Sequence, residues 1–465
     1  MIKLRLSEIA AILNGQLHGA DDLVFGSVET DSRLISSGSL FFAKPGEVTD
    51  GHNFVESAKN LGAVGAVVER YLSDVELPQI VVADVVLALG ALAAEVLAKV
   101  RQNGNLKVIG ITGSNGKTST KNMLGTILAK FGDTVSPIES YNNEVGAPIS
   151  ILKIDESTKY LVVELGAGGI GSISYLANIA KPDLGIVLKV GLAHAGAFGG
   201  IEITSKIKAE LVKALDPEAI FIYNADDGEV SAMTSLTQAK KVSFGTNSDA
   251  EYRFDNVSLS IEGTSADLHL PNGETIRVEL QILGEHQLMN ATAALSVVDQ
   301  LGLSLSVARE ALAALPLAER WRMQLTNRTD GISVINDAYN ASPDSMRAAL
   351  QTLAHLGKSG RRTIAVLGEM AELGEYSRDA HDQVGRLVVR YNIDQLVVIG
   401  TAAKLIHMGA MQEGSWDGES IFFESSSDAL PYIREMLEPG DIVLVKSSKS
   451  ANLRHLGDDL LEVLK

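Results

Sequence analysis

Residues 106–132 have the sequence LKVIGITGSNGKTSTKNMLGTILAKFG, and this stretch decides the fold of the 465-residue chain. An apolar run leads into a glycine-rich loop, and a segment of helical composition follows and ends at Gly132. This order predicts a strand, a loop and a helix whose amides and N-terminus bind an anion. Lys117 is placed to reach the β- and γ-phosphates of a nucleotide, and the Thr118 hydroxyl to coordinate Mg²⁺.

The loop departs from the general phosphate-loop spacing, which has a glycine six residues before the lysine, where this chain has Ile111. The alternative interpretation is a glycine-rich turn with an incidental lysine. Strand, loop and helix nevertheless occur together as phosphate binding requires. The motif therefore predicts nucleotide phosphate and Mg²⁺, and it leaves the reaction open. The residues predicted to contact the nucleotide are Gly113, Ser114, Asn115, Gly116, Lys117, Thr118 and Ser119.

Strand-like and helical segments alternate along the chain and predict an α/β fold with three domains. In the middle third, YLVVELGAG, LGIVLKVG and AIFIYNADD predict strands of a mostly parallel sheet, followed by a β-rich stretch with hairpin turns. In the last third, RTIAVLG, QLVVIG and DIVLVK predict a second doubly wound sheet. We predict an N-terminal domain at 1–103, a central P-loop-type mononucleotide-binding domain at 104–315 and a Rossmann-like domain at 316–465.

Composition excludes several classes of protein. Lysine and arginine total 40 and acidic residues total 58, and the resulting charge of −18 argues against a nucleic-acid or anionic-membrane binder. The absence of cysteine excludes disulfides and thiolate metal sites. The most apolar stretch, residues 80–100, carries three charged residues and is too interrupted to span a bilayer. With no signal peptide evident at the start, we expect a cytoplasmic protein.

Motifs along nearly the whole chain resemble those of the Mur ligases and the folylpolyglutamate synthetases. They are TGSNGKTS, TDSRLISSGSLFFAKPG, DGHNFVESAKNLGAVGAVV, SYNNEVGAP, VVELGAG, GEHQLMNATAA, INDAYNASPDSM and VLGEMAELG. The last two resemble the Mur ligases that add D-alanyl-D-alanine to UDP-MurNAc-tripeptide. The DYAHTP-like segment and the DNPR motif of the branch that adds the third residue do not occur in the sequence.

The resemblance implies a fold, a reaction and its partners. A carboxylate of UDP-MurNAc-tripeptide attacks the γ-phosphate of ATP, and the amine of D-alanyl-D-alanine then attacks the acyl-phosphate. ATP and two Mg²⁺ ions are implied, and we expect a monomer. A ligase of the third-residue branch, a folylpolyglutamate synthetase and a non-catalytic nucleotide sensor are the alternatives. The DSR segment and YNASP disfavour the folate enzyme.

The resemblance also implies metal ligands beside Thr118. Glu164, at the end of the strand-like run YLVVE, matches a carboxylate that holds Mg²⁺. Lys208 matches a lysine that is carbamylated, which turns a cation into an oxygen ligand. Lys206, two residues earlier, is the competing candidate. The ordinary alternatives are an acid at a strand end and a lysine on a helix surface.

A histidine completes the implied metal set. His194, in VGLAHAGAFGG, matches the histidine that binds the second Mg²⁺. The family usually has AHLExFGS here, and Ala195 and Gly196 replace its leucine and glutamate. A role that depends on that glutamate is therefore not transferred. This altered loop is the only support for the nucleotide-sensor alternative.

Three further segments match nucleotide-contacting positions of the family. Asn290 in GEHQLMN matches an asparagine that contacts adenine. The family usually has a His-Asn pair where this chain has His286 and Gln287. Arg322 matches an arginine that reaches the ATP phosphates, with Arg320 as its competitor and Gln324 in place of a usual glutamate. The INDAYNASP loop matches an interdomain segment near ATP and the incoming dipeptide, and its candidates are Asp337, Tyr339 and Asn340.

The remaining matches concern the UDP-linked substrate and the end of the chain. In LVKSSKS, Lys446 matches a loop that usually has the sequence LVKGSR, with Ser447 and Lys449 replacing its glycine and arginine. We assign Lys446 no definite role from the sequence. The residues implied to bind the UDP-sugar side are Thr30, Asp31, Ser32, Arg33, Asn142 and Asn143.

Overall fold

A computed structural model describes residues 1–46, 49–137, 140–193, 195–315, 320–414 and 419–462. Across these ranges the chain forms a five-stranded sheet near its start, a nine-stranded sheet in the middle and a six-stranded sheet in the last third. The predicted α/β class with three domains is confirmed. The limits at 103/104 and 315/316 stay predictions.

The N-terminal domain is built on a short parallel sheet. The strands of this sheet are β2 Gln16–His18, β4 Val28–Glu29, β5 Leu40–Phe42, β6 Gly65–Val68 and β7 Gln79–Val81. A separate antiparallel pair consists of β1 Leu4–Arg5 and β3 Leu23–Val24. The helices of the domain are α1 Leu6–Ile12, α2 Val55–Asn60 and α3 Val85–Asn103. Strands β4 to β7 are parallel, and β2 pairs antiparallel with β7 at one edge. The α3 helix begins where the Asp84 carboxylate accepts hydrogen bonds from the amides of Val86 and Leu87.

The central domain contains the largest sheet. Its strands are β8 Lys107–Thr112, β9 Thr134–Val135, β10 Tyr160–Glu164, β11 Leu184–Val187, β12 Ile220–Asn224, β13 Lys240–Gly245, β14 Tyr252–Ser260, β15 Gly263–His269 and β16 Thr275–Leu280. Its helices are α4 Lys117–Leu128, α5 Gly146–Ile151, α6 Ser172–Ala180, α7 Ala195–Phe198, α8 Ile201–Lys213, α9 Gly228–Ala232, α10 Glu285–Gln300 and α11 Leu305–Ala313.

The order of the central sheet is β16-β15-β14-β13-β12-β11-β8-β10-β9. From β9 to β14 in this order, each strand is parallel to the next. The pairs β14–β15 and β15–β16 form the predicted antiparallel hairpins. The β8 strand is buried and lies between β10 and β11, so the carboxyl ends of these strands meet at one edge. Helix α3 packs against α5 and α6, and the N-terminal and central domains share one hydrophobic core.

The C-terminal domain has the predicted doubly wound arrangement. Its strands are β17 Gln324–Asn327, β18 Ser333–Asn336, β19 Thr363–Leu367, β20 Gln395–Ile399, β21 Ser420–Phe423 and β22 Ile442–Lys446. Its helices are α12 Pro343–Gly357, α13 Ser377–Arg390, α14 Lys404–Glu413, α15 Ser426–Met436 and α16 Leu453–Asp459. The order is β17-β18-β22-β19-β20-β21, and only β17 is antiparallel to its neighbour within the described part of this sheet.

Short 3₁₀ helices connect several of these elements, at Ser32–Leu34, Gly51–Phe54, Met233–Leu236, Gly374–Tyr376, Thr401–Ala403 and Lys449–Ala451. The apolar runs of the sequence predicted β19, β20 and β22 but not β17, β18 and β21, which have four residues each. Among the described helices, none is both long enough and apolar enough to cross a membrane.

Candidate nucleotide-binding and catalytic site

A cavity of about 360 Å³ lies between the central and C-terminal domains, where strands of both sheets end. We call it the nucleotide cavity. Most of the residues predicted from the sequence line it, although they come from distant parts of the chain. The predicted residues in its lining are Ser114, Asn115, Gly116, Lys117, Thr118, Ser119, Asn142, Glu164, Asn290, Arg322, Asp337, Tyr339 and Asn340.

The phosphate loop connects β8 to α4 and depends on two glycines. Gly113 and Gly116 have φ angles of 150° and 86°, which favour glycine. A Cβ atom on Gly116 would lie 2.4 Å from the Asn290 side-chain oxygen, so a side chain here would displace Asn290. The side-chain amide nitrogen of Asn115 is buried without a hydrogen-bond partner in the described part of the chain. That donor and the α4 N-terminus suit an anionic ligand.

Lys117 is the first residue of α4, and its Nζ donates a 2.7 Å hydrogen bond to the carbonyl of Gly113. Desolvation lowers the pKa of Lys117, Glu164 opposes this shift, and Arg322 contributes to it. Two cations, Lys117 and Arg322, therefore influence one another in the nucleotide cavity. A polyphosphate in this cavity would be attracted by both side chains.

Oxygen atoms collect beside the phosphate loop. The Glu164 side chain at the end of β10 is almost fully buried and accepts hydrogen bonds from Thr118 Oγ1 at 3.1 Å and Asn142 Nδ2 at 2.7 Å. Thr118 Oγ1 also lies 3.3 Å from Ser140 Oγ. Carboxylate and hydroxyl oxygens next to a phosphate site are ligands that suit Mg²⁺.

Lys208 lies on α8, outside the lining of the nucleotide cavity, with 3% of its surface exposed. Burial, with a smaller contribution from Lys117, lowers the pKa of Lys208 to about 7 against the opposing effects of Glu210 and Glu164. Lys206, the competing candidate, is exposed. The buried amine of Lys208 is therefore the one that is partly neutral at physiological pH.

Arg322 lies in an unusual turn before β17. The residues on either side of it, Trp321 and Met323, have φ angles of 65° and 48°, a region that costs non-glycine residues energy. The Trp321 amide donates to Gln324 Oε1, and the Met323 amide donates to Asp337 Oδ1, each at 2.9 Å. These bonds hold the turn that directs Arg322 into the nucleotide cavity. Gln324 thereby has a structural role.

The Arg322 guanidinium contacts both domains. It lies 4.3 Å from the ring centroid of Tyr339, a distance typical of cation–π stacking. Its Nη2 lies 3.4 Å from Ser140 Oγ of the central domain. The competing candidate, Arg320, has a side chain that is 67% exposed and pairs with Asp458 at 3.0 Å. Arg322 is therefore the arginine that faces the phosphate loop.

Lys446, to which the sequence assigned no role, is buried at the end of β22 and organises the Asp337–Asn340 loop. Its Nζ lies 2.5 Å from Asp337 Oδ2 and donates a 2.9 Å hydrogen bond to the Asn340 carbonyl. Since Asp337 also holds the Met323 amide, Lys446 is linked to Arg322 through two contacts. Burial, with a contribution from Lys446, lowers the pKa of the neighbouring His286 to about 4 against the opposing effect of Asp337.

Two contacts join the central and C-terminal domains at the rim of the nucleotide cavity. Lys189 Nζ lies 2.9 Å from Asp344 Oδ1, and Ser342 Oγ donates to Asn115 Oδ1 at 3.2 Å. Ser342 is also the N-cap of α12, so this helix begins next to the phosphate loop. Neither Lys189 nor Asp344 was predicted from the sequence, although Asp344 lies within INDAYNASPDSM, because their pairing depends on the contact between the two domains.

Comparison with known proteins agrees with this geometry. Models of the Mur ligase catalytic domain, the Mur ligase middle domain and the glutamate ligase domain match residues 25–97, 111–298 and 321–449. The UDP-N-acetylmuramoyl-tripeptide–D-alanyl-D-alanine ligase of Mycobacterium tuberculosis H37Rv is 40% identical over 99% of this chain and 98% of its own. This chain belongs to the Mur ligase family.

Other relatives and solved structures support this membership. The Escherichia coli K12 protein with the same name is 34% identical over 98% of both chains. A crystal structure of MurF from Acinetobacter baumannii has a TM-score of 0.90 at 31% identity and covers 99% of both chains. MurF from Thermotoga maritima in complex with ADP has a TM-score of 0.81 at 27% identity and covers 94% of this chain and 97% of its own.

Some predicted residues of this Mur ligase lie away from the nucleotide cavity. Thr30, Asp31, Ser32 and Arg33 belong to an N-terminal loop in which the exposed Arg33 side chain pairs with Asp31 at 2.5 Å. The Asn143 side chain accepts a 2.8 Å hydrogen bond from the Gly146 amide at the start of α5. Gly113 is not part of the lining of the nucleotide cavity, and its carbonyl accepts the hydrogen bond from Lys117. His194 lies outside the described residues.

Proposed function

We propose that this chain joins D-alanyl-D-alanine to UDP-MurNAc-tripeptide, converting ATP to ADP and phosphate and giving UDP-MurNAc-pentapeptide. The proposal is carried by one observation. A phosphate loop from the central domain and Arg322 with the Asp337–Asn340 loop from the C-terminal domain line one cavity. Relatives that match nearly the full chain are named as ligases of these substrates. A folylpolyglutamate synthase shares the fold at 18% identity, which supports no more than a common architecture.

The chemistry explains why the site is rich in cations. The tripeptide carboxylate attacks the γ-phosphorus of ATP, and the bond to ADP breaks. The amine of D-alanyl-D-alanine then attacks the acyl carbon, loses a proton and releases phosphate. The first step brings a carboxylate against a triphosphate, so positive charge must stabilise the approach. Lys117 and Arg322 supply that charge inside the nucleotide cavity, and Lys189 supplies it at the rim.

The oxygen atoms beside the phosphate loop fit Mg²⁺. Mg²⁺ is usually held by one or two carboxylates together with substrate phosphates and water. Thr118 and Glu164 provide such ligands, and the described residues contain no group of three or more His, Cys, Asp or Glu that could hold a metal ion. When bound, Mg²⁺ would reduce the repulsion between the two anionic reactants. We assign a second ion to His194 and Lys208 by resemblance.

The buried, partly neutral amine of Lys208 is suited to form a carbamate. With a pKa of about 7, the amine is partly neutral near physiological pH and can attack the carbon of CO₂. Loss of one proton from nitrogen leaves an N-carboxylate. The product places two oxygen atoms where a buried cation would repel Lys117 and a metal.

The remaining assignments extend the proposal along the chain. The UDP-sugar end of the substrate is assigned to residues 30–33 together with Asn142 and Asn143. The domain limits are placed after residues 103 and 315. A cytoplasmic monomer fits a reaction between nucleotide-linked and free peptide substrates.

The test is phosphate release from ATP by purified protein with Mg²⁺, UDP-MurNAc-tripeptide and D-alanyl-D-alanine, leaving out each component in turn. We expect release to require all of them and a UDP-MurNAc-pentapeptide mass to appear. Release that instead requires UDP-MurNAc-dipeptide and a free diamino acid would assign the chain to the third-residue branch. ATP binding without release for any substrate set would support the nucleotide-sensor alternative.

A further inference from the structure

The indole of Trp321, the residue before Arg322, is bound to helix α16. Its Nε1 donates a hydrogen bond to the Asp458 carboxylate, at 3.1 Å from Oδ2 and 3.2 Å from Oδ1. The guanidinium groups of Arg320 and Arg454 lie 4.5 and 5.3 Å from the ring centroid of Trp321. These distances are typical of cation–π contacts. Trp321 is therefore held by its ring as well as by its backbone.

Helix α16 is itself fixed against the end of strand β18. Asn336, the last residue of β18, donates hydrogen bonds from Nδ2 to the Arg454 carbonyl at 2.9 Å and to Asp458 Oδ1 at 3.2 Å. The helix can approach so closely because Gly457 has no side chain, and a Cβ atom there would lie 2.4 Å from Asn336 Nδ2. The Asp458 carboxylate is therefore bound to the sheet through Asn336 and to the turn through Trp321.

The turn that carries Arg322 needs such support, since its backbone is strained. Trp321 and Met323, on either side of Arg322, have positive φ angles, and such conformations persist only where the surrounding structure holds them. The Trp321 carbonyl accepts a 3.1 Å hydrogen bond from the amide of Tyr339, whose ring stacks on the Arg322 guanidinium. A movement of Trp321 would therefore displace both Arg322 and the ring on which its guanidinium rests.

We propose that Asp458 and Trp321 are positioning residues for the reaction, and that they act through Arg322 on the phosphates of ATP. The proposal rests on the proposed function, because it assigns Arg322 to a bound triphosphate. Asp458 holds the indole, the indole holds the strained turn, and the turn directs the guanidinium into the nucleotide cavity. A guanidinium that is in place before the nucleotide arrives loses less conformational freedom on binding, so the contact favours both binding and phosphoryl transfer.

The Asp458 carboxylate also pairs with Arg320, and this ion pair must be distinguished from the indole contact. The side chains of Arg320 and Asp458 are 67% and 25% exposed. Solvent screens an ion pair at such a site, so its loss should change the reaction little. The indole contact, in contrast, connects α16 directly to the residue that precedes Arg322. Substitutions can remove the two contacts one at a time.

The experiment compares four variants by their kcat/KM for ATP. Trp321→Phe removes the indole N–H and keeps a ring, and Asp458→Ala removes the acceptor. We expect each to lower kcat/KM for ATP by about tenfold, the size of a lost hydrogen bond to a charged group, and to keep the KM for UDP-MurNAc-tripeptide. Asp458→Asn, which keeps an oxygen for the indole, should restore most of kcat/KM. Arg320→Ala is the matched control and should leave kcat/KM unchanged.

A second set of variants removes the group that is positioned. In an Arg322→Ala background, Asp458→Ala should lower kcat/KM for ATP no further, because no guanidinium is left to misplace. A full additional loss in that background would overturn the proposal, as would an unchanged kcat/KM in both Trp321→Phe and Asp458→Ala. An equal loss in Arg320→Ala would also overturn it, since the effect would then belong to the ion pair.

Two further measurements separate position from folding. Melting temperatures show whether the variants fold, and Trp321→Phe carries the test if Asp458→Ala does not. In a Trp416→Phe chain, Trp321 is the single tryptophan. Asp458→Ala should then shift its fluorescence emission to longer wavelength as the indole becomes more exposed, and an unchanged emission would contradict the contact. Failure of the unaltered enzyme to form pentapeptide would instead contradict the proposed function.

Discussion

The phosphate loop occupies consecutive residues, 113–119, whereas the residues that face it from the C-terminal domain are spread across residues 322–446. The loop takes its shape from local features, since Gly113 and Gly116 allow its turn and α4 begins directly after it. The C-terminal half depends on the buried pair of Lys446 and Asp337. Half of the site is therefore local in sequence, and the other half exists only after the domain has folded.

This difference predicts which substitutions remove a group that contacts the phosphates and which displace a loop that holds such a group. Lys117 and Arg322 line the nucleotide cavity, and removing either should change rate more than stability. Lys446 holds a loop, and removing it should change both. Five sets of variants test the site, and the expected effect on the reaction becomes smaller from one set to the next.

Lys117→Ala tests the phosphate loop itself. We expect phosphate release to fall by about a thousandfold or more, the range seen when a cation on a transferred phosphoryl group is removed. Binding of the UDP-linked substrate, measured by calorimetry, should persist. Lys130→Ala, at an exposed position after α4, is the control. Normal turnover of Lys117→Ala would remove the loop from the mechanism.

Lys208→Ala tests the carbamate, because truncation leaves space for a carboxylic acid. We expect phosphate release to fall by about a hundredfold, as for the loss of a metal-site group, with partial recovery on adding short-chain carboxylic acids. Lys206→Ala, the exposed neighbour, should leave the rate unchanged. Wild-type activity of Lys208→Ala would contradict the carbamate assignment.

Burial of Lys208 makes the stability of the unaltered chain depend on pH, and Lys208→Met tests the direction of this dependence. The pKa of Lys208 is about 7 in the folded chain and 10.5 for an ordinary lysine, so the unfolded chain binds more protons between these values. The stability contributed by Lys208 therefore rises with pH across this window and is lowest below it. In CO₂-free buffer, Lys208→Met should raise the melting temperature, and more at about pH 6 than at about pH 9.

Arg322→Ala and Arg320→Ala form a matched pair within one turn. Arg322 faces the phosphate loop, and Arg320 pairs with Asp458 at the surface. We expect Arg322→Ala to lower kcat/KM for ATP by about tenfold to a hundredfold, as for a lost charged hydrogen bond. Arg320→Ala should have little effect. The reverse result would exchange the two assignments.

Lys446→Met tests the part of the site that depends on the folded C-terminal domain. Removing one partner of a buried ion pair should destabilise the chain by about 3–5 kcal/mol and lower kcat/KM by about tenfold through misplacement of Asp337 and Arg322. Lys446→Arg should restore part of the rate. In a double-mutant cycle with Asp337→Asn, the two losses should not add. Additive losses would show that the pair does not act as a unit.

Lys189→Ala and Asp344→Ala test the contact at the rim. The two side chains are 44% and 29% exposed, so solvent screens their attraction. We expect a coupling energy below about 1 kcal/mol in a double-mutant cycle on the KM for ATP. The coupling should decrease with added salt. Strong coupling that is insensitive to salt would mean that the domains close further over this pair.

Much of the fold could be predicted, because alternating strands and helices follow from hydrophobic patterns. The strands missed in the C-terminal domain were β17, β18 and β21. Each has four residues and includes at least one polar residue, whereas the equally short β11 has none. Motifs that occupy consecutive residues, such as the phosphate loop, gave the right residues of the nucleotide cavity. Lys189, Asp344 and Lys446 could not be identified as its neighbours, because their partners lie far away in sequence.

The sequence by itself determined the α/β class, the nucleotide loop and the membership of a family, since these depend on local patterns of apolar, glycine and charged residues. Only the tertiary structure decided that Arg322 rather than Arg320 faces the loop and that Lys208 rather than Lys206 is buried. It also gave Lys446 a role in holding the Asp337–Asn340 loop. The physical reason is that burial and the distances between charges are set by packing, and packing joins residues that the sequence separates.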